Sequence, residues 1–199
     1  MNTGALPKQW KYSRHRFQAV GAAVCLSVAF LLGWSVHAHI SVNDPIAGVS
    51  IHPPFFSPNG GARDAILSQI DQARSEILVA LYYFTDPVLA DALITAKNRG
   101  VTVQVILDRS QKSGRYSQAK RLSEADIDVR FDSRHRILHH KFMVMDSLVV
   151  VTGSQNWTKS AETVNAENTL ILKGDVALIQ NYRNEFHRLH SLSKAIVES

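Results

Sequence analysis

The sequence predicts an α/β sandwich with a mixed central sheet in a single domain. Two apolar runs, EILVALYYF (76–84) and VTVQVILD (101–108), lack the alternation of half-exposed strands and suit strands covered on both faces. Between them, DPVLADALITAKNRG has helical spacing, which makes a strand–helix–strand unit. Near the C-terminus, DVALIQNYRNEFHRLHSL is amphipathic and offers a helix to cover the sheet.

The elements follow in order. Residues 39–58 contain Pro45, Pro53, Pro54 and Pro58 and read as a linker, over 39–55, into a domain over 56–190. Residues 191–199 read as a tail. In GGARDAILSQIDQARS, Ala62, Ile66, Ile70 and Ala73 recur at helical spacing. The next helix opens at Thr85-Asp86-Pro87, with proline in its first turn, and stops at Gly100. SQKSGRYSQ (110–118) is polar and reads as a loop. SQAKRLSEA reads as a helix and IDVRF as a short strand. HHKFMVMDSLVVVTGSQN (139–156) forms a strand pair about Asp146-Ser147, and ENTLILKG adds a further strand.

Composition bounds the function. With 45% hydrophobic and 20% charged residues the chain is globular rather than disordered. Its net charge of +5 is uneven. Residues 1–38 hold Lys8, Lys11, Arg14 and Arg16 and no acid, leaving 18 basic against 17 acidic residues elsewhere. Residues 97–141 alone carry eleven Lys/Arg against five Asp/Glu, a one-sided basic region able to attract a polyanion.

The leader follows the secretory pattern. A basic stretch precedes FQAVGAAVCLSVAFLLGW (17–34), with only Gln18 and Ser27 polar, and Val36 and Ala38 suit a cleavage site. Residues 1–38 are therefore a signal peptide or an uncleaved membrane anchor, and the protein is expected in the periplasm or outside the cell, or held on the inner membrane. The one cysteine, Cys25, lies in that segment, so the exported body needs neither a disulfide nor a thiolate metal site.

The 139–156 stretch carries the chemistry. If it is extended, His139 and Lys141 share one face, while His140, Phe142 and Asp146 take the other. Imidazole beside ammonium suits nucleophilic attack or proton transfer on an anion. Gly153-Ser154-x-Asn156 returns donors to the same edge, and such donors fit phosphate oxygens.

His139-x-Lys141, then Asp146, then Gly153-Ser154-x-Asn156, with Glu167-Asn168 ahead of a strand, resembles the HKD signature of the phospholipase D superfamily. The likeness runs from about Phe56 to Phe186 and is similar to the small bacterial Nuc-type endonucleases. The resemblance implies an α-β-α sandwich with a mixed, largely parallel sheet. It implies that His139 attacks phosphorus to give a phosphohistidine and that a second motif histidine protonates the leaving oxygen. Lys141 and Asn156 would hold phosphate oxygens with help from Ser154, and Glu167 would orient a catalytic imidazole. Asp146 and Gly153 would be structural. No metal or cofactor is implied. The chain holds one such motif, so the resemblance implies a homodimer that brings two copies of His139 together.

The leading function is a metal-independent phosphodiesterase acting as a non-specific endonuclease on DNA, with RNA a second candidate substrate. Arg109, Lys112, Arg115 and His135, with Arg134 and Arg136, are candidates for contacting its backbone. The alternative enzyme is a phospholipase D acting on phosphatidylcholine or cardiolipin, with residues 17–34 holding it at the membrane. A third class is a nucleic-acid-binding protein without catalysis. His140 is expected to be structural.

Overall fold

The computed structural model describes residues 50–196. The leader, residues 39–49 of the expected linker and the last three residues of the tail lie outside them. The strands are β1 (Ser50–Ile51), β2 (Phe55–Ser57), β3 (Glu76–Leu81), β4 (Thr102–Asp108), β5 (Asp128–Asp132), β6 (Lys141–Met145), β7 (Val149–Gly153), β8 (Glu167–Lys173) and β9 (Lys194–Ala195). The helices are α1 (Ala62–Gln72), α2 (Pro87–Asn98), α3 (Ala119–Glu124), α4 (Lys159–Thr163) and α5 (Val176–Leu192), with a 3-10 turn at Arg109–Lys112.

The sheet order is β1-β8-β7-β6-β3-β4-β5-β9, with β2 also on β8. It is mixed, as expected, but not largely parallel. Among the described residues β3–β4 and β4–β5 pair parallel, and the other strand pairings are antiparallel. The reason is local for β6 and β7, whose three-residue connection allows only antiparallel neighbours. The expected linker and tail also contribute. Residues 50–55 reach the sheet through β1 and the start of β2, and Lys194–Ala195 pair with β5.

Alternate residues of each central strand face two separate cores. Val79, Leu81, Val105, Leu107 and Met143 pack against α1–α3 through Ile66, Ile70, Leu93 and Leu122. Leu78, Ala80, Ile106, Phe142 and Val144 face Ile179, Phe186 and Leu189 of α5. Each fully buried Leu or Ile contributes about 1.5–3 kcal/mol relative to exposure. Strands covered on both sides therefore show no polar alternation, which is why the sequence runs are continuous.

Caps set the helix starts. The Asp86 carboxylate accepts from Val88 N–H with Pro87 in the first turn, and Asp175 accepts from Leu178 N–H at 2.9 Å. Asp146 and Ser147 have φ of 52° and 54°, and Leu148 N–H bonds the Met145 carbonyl at 2.9 Å. These residues lie in the three-residue hairpin connection, 146–148, that joins β6 to β7.

Candidate active site

The register gathers the motif at one end of the sheet. Leu81 pairs with Lys141, Phe142 with Thr152, and Gly153 with Thr169. The segments after β3 and β7 and before β6 and β8 therefore meet there. A Cβ on Gly153 would lie 2.1 Å from the Asn168 carbonyl oxygen, so only glycine allows β7 and β8 to approach this closely. The segment after β7 is clamped to the segment after β3. Trp157 N–H donates to the Tyr83 carbonyl, and the Thr85 and Asp86 N–H groups donate to the Trp157 carbonyl.

Lys141 opens β6 and is 9% exposed. Its Nζ donates to the His139 carbonyl at 2.9 Å and lies 5.3 Å from the centre of the Tyr82 ring. Burial pushes the ammonium below the ordinary lysine range, and the Glu167 carboxylate opposes this without cancelling it. His139 is exposed, with its ring 5.0 Å from that of Tyr82. His140 turns towards α5, where Nε2 lies 3.6 Å from Glu185 and the ring stands edge-on to Phe142. Burial lowers its pKa and Glu185 restores it only in part. His140 thus lies on the Phe142 side of the sheet, towards α5.

The Asn156 side-chain oxygen accepts from Tyr83 N–H at 3.2 Å. That contact fixes the amide so that its NH2 is left to donate. Gln155, between the two polar motif residues, is buried and held by Glu162 and Thr169. Ser154 behaves differently from the expectation. Its hydroxyl donates to Glu167 Oε2 at 2.6 Å and accepts from Asn168 N–H, so its proton is committed to a carboxylate. Glu167 also accepts from Asn165 Nδ2 at 3.0 Å. Among the described residues the His139 ring has no hydrogen bond to Glu167.

Asp146 sits at the other end of β6, at the turn. Its position along the strand, rather than strand parity, keeps it from the motif histidine. It accepts from the N–H groups of Arg74, Ser75 and Glu76 and from the Ser75 hydroxyl. Burial alone would raise its pKa, but these donors together hold it below the usual carboxylate range.

The basic candidates disperse. Arg109 donates to the Arg136 carbonyl, and His135 bonds Asp132, both on the segment just before His139. Arg115 lies over the Tyr116 ring. Lys112 instead lines a separate cavity of about 600 Å3 with Lys120, Ser123 and Phe131. Tyr82 and Tyr83 were not singled out from the sequence. Their signal was a pair of tyrosines closing an otherwise apolar strand run, at the end where the motif gathers.

The family described as "Cardiolipin synthase, PLD-like domain" matches residues 66–190. The chain belongs to the phospholipase D superfamily. It is 36% identical over 141 residues to phospholipase D of Rickettsia prowazekii (strain Madrid E), which covers 71% of this chain and 68% of that protein. It is 39% identical over 124 residues to the mitochondrial cardiolipin hydrolase of Xenopus laevis, covering 62% of this chain and 59% of the relative. The crystal structure of Nuc from Salmonella typhimurium, a phospholipase D family member, superposes with a TM-score of 0.71. That likeness has 34% identity and covers 75% of this chain and 99% of Nuc. As a phospholipase D-like protein the chain is a phosphodiesterase.

Proposed function

We propose that this phosphodiesterase is an exported, non-specific endonuclease of DNA, active also on RNA, that works as a homodimer without a metal ion. The observation that carries the reading is the convergence of His139, Lys141 and Asn156 on one sheet end, in a chain that matches Nuc along nearly all of Nuc's length. The His139 imidazole attacks phosphorus, and the P–O bond to the leaving oxygen breaks as a second imidazole gives that oxygen a proton. The second imidazole, now neutral, takes a proton from water, which displaces His139 from the phosphohistidine. Lys141 and the Asn156 NH2 hold the non-bridging oxygens as charge builds.

The second imidazole is the other copy's His139, brought across a two-fold axis. Glu167 supports this reading, because its carboxylate is held by Ser154 and Asn165 rather than by its own chain's His139. In this reading Glu167 orients the imidazole that arrives from the other copy. Ser154 positions Glu167 rather than donating to phosphate. The leader exports the protein or anchors it.

The names of the curated relatives favour a second reading, phospholipase D hydrolysis of phosphatidylcholine or cardiolipin. Full-length protein incubated in EDTA with plasmid DNA, and in parallel with vesicles of either lipid, separates the two. DNA cleavage that persists in EDTA and weakens steeply with salt is the expected result. Lipid turnover without DNA cleavage would transfer the function to the second reading.

A further inference from the structure

Residues 133–138 link β5 to His139 and form no regular structure. Two buried carboxylates nevertheless fix them. Asp132, 1% exposed, accepts from the N–H groups of Arg134 and His135 and bonds His135 Nδ1 at 2.9 Å. Asp108, 4% exposed, accepts from Leu138 N–H at 2.8 Å. Burying carboxylates is costly, and here both serve to hold one exposed loop in a single shape. An ionised carboxylate can only accept, so His135 Nδ1 carries a proton and Nε2 is the ring's free nitrogen.

This loop forms one wall of a cleft of about 270 Å3. Arg188 and Leu189 of α5 form the other wall, and His139 and His140 also line it. Arg188 binds Glu185 through Nε and Nη2 at 2.7 Å each, and among the described residues Nη1 has no partner. Glu185 also faces His140, so its charge is already engaged by groups of the cleft.

We infer that this cleft is a second anion subsite, which takes the phosphate next to the scissile one through His135 Nε2 and Arg188 Nη1. In its doubly protonated form the ring donates from one nitrogen to Asp132 and from the other to the ligand. The subsite rests on the nuclease reading, because a polynucleotide always presents a neighbouring phosphate. A substrate with a single phosphodiester reaches His139 but leaves His135 and Arg188 without a ligand.

The test compares full-length protein and its H135A and R188A variants on a fluorescent thymidine octanucleotide and on bis(p-nitrophenyl) phosphate, which has one phosphate. Each variant is expected to raise KM for the octanucleotide roughly tenfold, equal to about 1.4 kcal/mol. The kcat on the octanucleotide and both constants on the single phosphodiester should stay within about twofold. Two variants on opposite walls guard against a loop disturbed by H135A alone. Equal losses on both substrates would show that these residues position His139, and would overturn the subsite. An unchanged octanucleotide KM would overturn it as well. A KM effect on cardiolipin vesicles, which present two phosphates, without one on the octanucleotide would overturn the polynucleotide assignment. Failure of the nuclease reading shows separately, as wild-type protein that turns over bis(p-nitrophenyl) phosphate but not the octanucleotide.

Discussion

The Tyr82 ring stands 5.0 Å from the His139 imidazole, and the same ring lies 5.3 Å from Lys141 Nζ. Tyr82 N–H also donates to the His140 carbonyl at 3.0 Å, so ring and backbone together locate the start of β6. The hydroxyl is turned to Tyr83, and that bond, together with burial, raises the phenol pKa above its ordinary value. A phenol so held stays neutral and acts through its ring.

Tyr82→Ala should therefore lower kcat by roughly ten- to a hundredfold with little change in KM, as expected for a misplaced nucleophile. Tyr82→Phe keeps the ring and should stay within about threefold. Steady-state kinetics on bis(p-nitrophenyl) phosphate reads both. A loss in Tyr82→Phe equal to that in Tyr82→Ala would assign the effect to the hydroxyl instead.

The Ser154–Glu167 contact gives a second test. A hydrogen bond to a charged group contributes about 1.5–3 kcal/mol. Ser154→Ala and Glu167→Gln should be strongly non-additive in kcat, with the double variant little worse than Glu167→Gln alone. Additive losses would return Ser154 to an independent role on the phosphate.

Asp146 should matter for stability and not for chemistry. Asp146→Ala leaves the donors of residues 74–76 without their acceptor and should cost about 1–3 kcal/mol in urea unfolding. Its folded pKa lies below the unfolded value near 3.9. The ionised group's stabilisation is thus complete above that value and is lost as pH falls through the lower, folded one. Wild type should lose stability across that acid window more steeply than Asp146→Ala, and parallel pH profiles would contradict the assignment.

At Gly153 even one methyl is too much. Gly153→Ala places a carbon against the Asn168 carbonyl and should destabilise by about 1–3 kcal/mol or more, as overpacking does. An unchanged thermal midpoint would show that β7 and β8 can separate freely at this pair.

Much of this was legible in the sequence because local rules governed it. Strand parity placed His140 on the Phe142 side, towards α5, and apolar runs without alternation marked β3 and β4 as doubly covered. Pairing direction was not legible, since an apolar pattern fits either sense; a short link decides it for β6–β7, but thirteen residues with α4 join β7 to β8. Strands β1 and β9 have two residues each, too few for any period to show. The commitment of Ser154 to Glu167 joins groups 13 positions apart, and the hold of Tyr82 on His139 joins groups 57 apart. Neither leaves a local trace.

His139 is predicted to take up the phosphoryl group covalently during turnover. Full-length protein mixed in EDTA with an excess of labelled oligonucleotide, quenched in base within the first turnovers and digested, should yield one acid-labile phosphoramidate peptide. Mass spectrometry should place the adduct on His139, and His139→Ala should carry none and be inactive. An adduct on another residue, or turnover by His139→Ala, would contradict the account.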